Sequence, residues 1–216
     1  MSADRRLSAA AVVFDMDGVL VDTTPIHEQT WNDVLAAHQL SLEVPVRDLL
    51  GRRGTDVLAE LVANPRQADA LLAELRHVAT QRLRDAPDLL VPGVPELLDR
   101  LRADGKRLGL ATSAYREAAE ELLGATLLAR FDAIVTAEQV PRGKPEPDVY
   151  ATAATSLGTP PSECVAVEDA IAGVQAARAA GLGAIGVTGT TTSERLRDAG
   201  ADAVVTRTAD VADVVV

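Results

Sequence analysis

The sequence predicts an α/β fold: a Rossmann-like parallel sheet core with a small α-helical domain inserted after its first strand. Three observations point there. Short apolar runs recur near 10–14, 108–111, 133–136, 164–167, 184–187 and 203–205, and each ends in polar or small residues. Helical patterns at 94–104, 116–123, 148–157 and 170–180 separate the later runs, the alternation that right-handed βαβ units require. Aromatics make up 2% of the 216 residues against 47% hydrophobic, so the core must be aliphatic. That suits helices packed on a buried parallel sheet better than an antiparallel sandwich.

The first run, 10–14, is continuously apolar, as a strand covered on both faces must be. The stretch after it breaks the rhythm. Helical patterns follow one another at 26–39, 56–63 and 65–84 with no convincing strand between them. A helical insert is expected over 21–87, with the core formed by 1–20 and 88–216. In the core, Gly105, Gly158, Gly181 and Gly200 each fall just past a helical pattern, where a left-handed terminating residue is favoured. No internal repeat or low-complexity segment interrupts the chain.

Charge narrows the partners. With 21 basic and 32 acidic residues the net charge is −11, which repels a phosphate backbone and argues against nucleic-acid or anionic-membrane binding. A phosphorylated ligand would need a local cationic site. The single cysteine, Cys164, lies in the apolar run Cys164-Val165-Ala166-Val167 and reads as core packing. It excludes internal disulfides and fits a reducing cytosol. No apolar run approaches the roughly 20 residues of a membrane span, and the stretch after Arg5 and Arg6 reaches Asp15 too soon for a signal peptide. The expectation is a soluble, cytoplasmic protein, monomeric or weakly dimeric.

In an open parallel sheet the ligand crevice lies beyond the carboxyl ends of the strands. Asp15-Met16-Asp17-Gly18 follows the first strand and Thr112-Ser113 the second; Arg142-Gly143-Lys144-Pro145 follows the third after a loop, and Glu168-Asp169 the fourth. Singly, these read as turns, helix caps or an exposed lysine. Lys144 is one of only two lysines beside 19 arginines. Together, topology brings two carboxylate pairs, a hydroxyl pair and a lysine to one sheet edge. Like charges about 4 Å apart cost about 4 kcal/mol at an effective dielectric near 20. A hard divalent cation removes that cost, and Mg²⁺ is the usual choice beside phosphate. One carboxylate can attack phosphorus while a second protonates the leaving oxygen. Lysine and backbone N–H groups then neutralise the phosphoryl oxygens. Between the insert's helices, Gly51-Arg52-Arg53-Gly54 offers two further cations toward the crevice, suited to an anionic or polyhydroxylated substrate.

Asp15-Met16-Asp17-Gly18-Val19, Leu110-Ala111-Thr112-Ser113, Lys144-Pro145-Glu146-Pro147-Asp148 and Val167-Glu168-Asp169-Ala170 resemble the four ordered motifs of the haloacid dehalogenase superfamily. The likeness spans 12 to about 187, and the insert resembles the small α-helical cap domain of the β-phosphoglucomutase-like branch. The resemblance implies that Asp15 is the nucleophile, becoming an aspartyl phosphate, and that Asp17 is the general acid and base, with its backbone carbonyl on Mg²⁺. It places Thr112 and the N–H of Ser113 on the transferring phosphoryl group and Lys144 between that group and Asp15. Asp169 would bind Mg²⁺ together with Asp15, with Glu168 on the metal directly or behind a direct ligand. Thr23 and His27 fall where the branch positions substrate and its acid–base residue.

The activity implied is Mg²⁺-dependent hydrolysis of a small, sugar-like phosphomonoester; the alternative is a β-phosphoglucomutase-like sugar phosphomutase. Dehalogenation is disfavoured because halide leaves without a proton, which would idle Asp17. A non-catalytic role would predict a gap in the set, and there is none. Against the mutase, the span 19–105 contains no lysine to hold a second phosphate.

Overall fold

The computed structural model describes residues 6–216. Strand β1 (Ala11–Phe14) is followed by three helices, α1 (Thr24–Ala37), α2 (Gly54–Leu61) and α3 (Pro65–Asp85). The remaining elements alternate: α4 (Val94–Ala103), β2 (Arg107–Ala111), α5 (Arg116–Leu128), β3 (Ala133–Val135), α6 (Asp148–Leu157), β4 (Cys164–Glu168) and α7 (Ile171–Ala179). Then come β5 (Gly183–Val187), α8 (Ser193–Asp198), β6 (Ala203–Val205) and α9 (Val211–Val214). The six strands form one parallel sheet in the order β3-β2-β1-β4-β5-β6. The chain runs outward through β2 and β3, then returns across β1 to β4. A parallel sheet opens its crevice where strand order reverses, here between β1 and β4.

Strand alternation sorts the apolar residues onto two faces. Val12 and Phe14 pack with Leu108, Leu110, Val165 and Val167 under α4 and α5. Ala11, Val13 and Ala166 pack on the other face under α6 and α7. That second face is lined by small residues, which lets its helices sit close: a Cβ on Gly109 would lie 3.1 Å from Leu157, and one on Gly186 3.0 Å from Leu196. Cys164 is buried there, and burial pushes its thiol up to about 11. Helix α5 runs past the expected 123, through a break at Gly124 (φ 65°), because Leu127 and the partly buried Leu128 continue the apolar stripe onto the sheet.

The insert has a core of its own, in which Val34, Leu58, Val62, Leu71 and Leu75 join α1, α2 and α3. The Asn64 side chain caps α3, accepting from the Arg66 N–H at 3.0 Å, with Pro65 at the first helical position. Residues of these helices line one cavity together with the segments that follow β1 and β2. Among the described residues no helix is long and apolar enough to cross a membrane.

Candidate active site

The parallel ladder sets the site. Phe14 pairs with Val167 and with Leu110, and the Asp15 N–H donates to the Val167 carbonyl at 3.0 Å. Asp15 therefore leaves β1 level with Glu168 and Asp169 leaving β4. One carboxylate oxygen from each of the three lies within 4.8 Å of the others, and all three residues are buried. Lys144 threads into this cluster with no side-chain exposure. Its Nζ sits 2.8 Å from Asp15 Oδ1 and donates to Glu168 Oε1 at 2.6 Å and to the Ala111 carbonyl at 3.2 Å. The Asp15 contact is an ion pair by distance but lies off the hydrogen-bond direction, since Oδ1 has no hydrogen-bond partner.

Two glycines make room for the carboxylates. A Cβ on Gly173 would overlap the Glu168 carboxylate, and one on Gly18 (φ 74°) would overlap that of Asp169. Further hydroxyls fix them: Tyr150 donates to Glu168 Oε1 at 2.5 Å, and Thr190, itself 3.2 Å from Thr24 Oγ1, donates to Asp169.

Crowding shows in the protonation. Burial, reinforced by Glu168 and opposed by Lys144, pushes the Asp15 carboxyl well above the ordinary range. Burial and Glu168 push Asp169 up to about 7. Lys144 loses charge stability by burial but regains more from Asp15 and Glu168, so its pKa is raised. Asp15 Oδ1 and Glu168 Oε2 are buried without a hydrogen-bond partner. Three buried carboxylates within 4.8 Å of one another, disfavoured as anions and with Glu168 Oε2 left unpartnered beside a single lysine, are what a small divalent cation such as Mg²⁺ would satisfy. The residues fit that ion.

Asp17 lies in different surroundings. Its Oδ1 accepts from the Thr23 hydroxyl at 2.5 Å and lies 3.4 Å from His27 Nε2. Burial acts to raise it, but the His27 and Thr23 hydrogen bonds outweigh burial and hold the carboxyl below its usual value. His27 moves the other way: burial lowers it, the Asp17 partnership raises it more, and the net pKa is raised. The buried Thr112 turns its Oγ1 toward the Ala114 N–H at 3.0 Å, while the Ser113 hydroxyl donates across to the Gly51 carbonyl at 2.7 Å.

A cavity of about 420 Å³ extends from Asp15 and Asp17 past His27 to a wall that includes Trp31, Leu75 and Tyr115. Arg52 and Arg53 both line it, but neither is free. Arg52 donates to Glu60 at 2.5 Å, leaving its Nε buried and unpartnered. Arg53 is held by Asp56 and by main-chain carbonyls of the 137–141 loop. Of the sequence-derived set, Asp15, Lys144, Glu168 and Asp169 meet in one buried cluster, and Asp17, Thr23 and His27 form a second beside it. Tyr150, Thr190 and Gly173 were not singled out from sequence. Thr190 was findable, since it follows β5 at the same sheet edge. A tyrosine inside α6 and a glycine inside α7 carry no such mark.

The family model described as haloacid dehalogenase-like hydrolase matches residues 9–181, about four-fifths of the chain. This chain belongs to the haloacid dehalogenase-like hydrolase family. Among curated relatives, a β-phosphoglucomutase of Bacillus subtilis (strain 168) is 33% identical over 93% of this chain and 91% of its own. A fructose-1-phosphate phosphatase of Escherichia coli (strain K12) is 35% identical over 82% of this chain and 96% of its own. Among solved structures, a hydrolase from Pseudomonas syringae superposes with a TM-score of 0.85 at 27% identity, covering 94% of this chain and 96% of that one. In this chain a helical unit, α1 to α3, interrupts the sheet core after its first strand.

Proposed function

We propose that this protein is a Mg²⁺-dependent phosphatase that hydrolyses a small, sugar-like phosphomonoester through an aspartyl phosphate on Asp15, with 21–87 acting as its cap. The observation that carries this reading is the sorting of two aspartates, two residues apart, into opposite environments: Asp15 among the acids and Lys144, Asp17 against Thr23 and His27. Asp15, Glu168 and Asp169 would hold the cation, along with the Asp17 carbonyl; when bound, it offsets the carboxylate charge and polarises a phosphoryl oxygen.

The chain's own groups supply the rest. A carboxylate oxygen of Asp15 attacks phosphorus, and the bond from phosphorus to the ester oxygen breaks. Lys144, Thr112 and the Ser113 N–H stabilise the phosphoryl oxygens. The proton for the leaving alkoxide rests on the Asp17–His27 pair and is delivered by Asp17. Asp17, now a base, takes a proton from the water that cleaves the aspartyl phosphate, releasing inorganic phosphate and restoring Asp15.

The named activities of the two curated relatives divide between phosphatase and mutase. The cavity's charge favours the phosphatase. A mutase must hold a second phosphate, yet the span 19–105 carries no lysine, and of the cap arginines lining the cavity Arg52 is paired with Glu60 and Arg53 is held by Asp56 and by loop carbonyls. The deciding assay supplies β-glucose 1-phosphate, a trace of the 1,6-bisphosphate and Mg²⁺. Free phosphate is expected. Glucose 6-phosphate appearing without free phosphate would assign the mutase instead.

A further inference from the structure

We propose that Arg53 is a positioning residue that couples closure of the cap to placement of Lys144. Its guanidinium crosses from the start of α2 to the loop between β3 and α6. There it donates to the Val140 carbonyl at 3.1 Å and the Pro141 carbonyl at 2.9 Å, with the Ala137 carbonyl at a long 3.5 Å. Asp56 orients it from behind, accepting from Nε at 2.9 Å and from NH2 at 3.2 Å. Two residues after Pro141 the loop presents Gly143, where a Cβ would stand 2.5 Å from Arg53 Nε and 2.6 Å from the Asp56 carboxylate. The next residue is Lys144.

Beside the Ser113 hydroxyl on the Gly51 carbonyl, the charged ties between cap and core differ in kind. Arg195 reaches the half-buried Asp48 from an exposed position, and Arg84 and Glu121 pair with both side chains exposed, contacts worth little in water. Arg53 is only 15% exposed, and its core partners are main-chain carbonyls on the segment that delivers the lysine. A planar fork held by one carboxylate suits two neighbouring carbonyls in a way a lysine ammonium does not. Were the cap to lift, the carbonyls of Val140 and Pro141 would turn to water and the loop would lose its outer support. Closure over substrate and fixing of Lys144 between Asp15 and Glu168 then become one event. This role removes Arg53 from direct substrate contact, so its loss acts alike on every substrate. It rests on the phosphatase reading only for the kinetic part of its test.

The test compares the native protein with Arg53→Ala, Arg53→Lys and Gly143→Ala by backbone hydrogen exchange and by turnover. Peptides spanning 137–147 are expected to exchange about tenfold faster in Arg53→Ala, while peptides from the α3 core of the cap keep their rates. On p-nitrophenyl phosphate and on a sugar phosphate alike, kcat/KM falls by about tenfold to a hundredfold, mostly in kcat. Arg53→Lys restores part of both effects, and Gly143→Ala, which fills the guanidinium's seat, reproduces them. Unchanged exchange over 137–147 in Arg53→Ala, or a loss confined to the KM of one substrate, overturns the proposal. If the native protein releases no phosphate from any ester, the phosphatase reading fails, and the exchange data alone decide the role of Arg53.

Discussion

Raising the pH from 5.5 to 8 in the absence of divalent cations should destabilise this protein, and Mg²⁺ should restore most of the loss. Asp169 is 3% exposed, and burial and Glu168 push its carboxyl up to about 7 in the folded chain, against an ordinary 3.8. A carboxyl whose folded pKa is raised gives stability that is present at low pH and lost as pH climbs from the unfolded value through the folded one. The full span is worth about 4 kcal/mol, and the part lying above pH 5.5 about 2 kcal/mol. Asp15 is raised as well and adds in the same direction. His27, also raised, loses its contribution above its unfolded value near 6.5. Asp17 is lowered, so its contribution is complete above 3.8 and constant across the window. For a chain of this size about 2 kcal/mol moves Tm by roughly 4–8 °C. Thermal melts in EDTA at both pH values, repeated with millimolar Mg²⁺, measure it. Mg²⁺ should raise Tm more at pH 8 than at 5.5, and Asp169→Asn should flatten the pH dependence in EDTA. A Tm that is flat or rises from pH 5.5 to 8 in EDTA, or equal Mg²⁺ stabilisation at both, would refute the crowded-carboxylate account.

Asp15→Asn should cut phosphate release by a hundredfold or more while leaving Tm in EDTA unchanged or higher, because one of three crowded charges is gone; turnover above about one percent of native would exclude Asp15 as nucleophile. Gly173→Ala ought to stabilise a helix by about 1 kcal/mol on propensity alone, yet its methyl overlaps the Glu168 carboxylate, so thermal melts should show a net loss of about 2 kcal/mol or more. Arg52→Ala should raise KM for a sugar phosphate about fivefold while leaving p-nitrophenyl phosphate turnover within twofold, since Arg52 lines the cavity from the cap and would meet the sugar rather than the phosphoryl group; equal effects on both substrates would place Arg52 elsewhere.

Much of the fold was legible because a parallel sheet leaves a local trace. Apolar runs at 108–111 and 164–167 became β2 and β4, and Gly105 and Gly158 end their helices with φ of 78° and 61°. The positions of Asp15, Thr112 and Glu168 followed from one rule, that ligands gather at strand ends, and each motif touches its strand in sequence. Three things were not legible. Strand order was one: nothing local says that β4, and not β2 alone, lies beside β1, so the expected nearness of Asp169 to Asp15 came from the family resemblance, and the adjacency of β1 and β4 supplies its physical reason. The partners of the carboxylates were another. Tyr150 and Gly173 sit inside helices whose patterns explain them as core and spacer, and only packing aims the phenol at Glu168 and sets the glycine beneath it. Arg53 was the third. Its charge and its place between cap helices suggested a ligand contact, whereas the fold brings the carbonyls of Val140 and Pro141 within its reach, 88 residues away in the case of Pro141. Periodicity and strand-end chemistry repeat over a few residues, so sequence determines them. A side chain's partner depends on which distant backbone folding brings within about 3 Å, and that is settled only when the layers close.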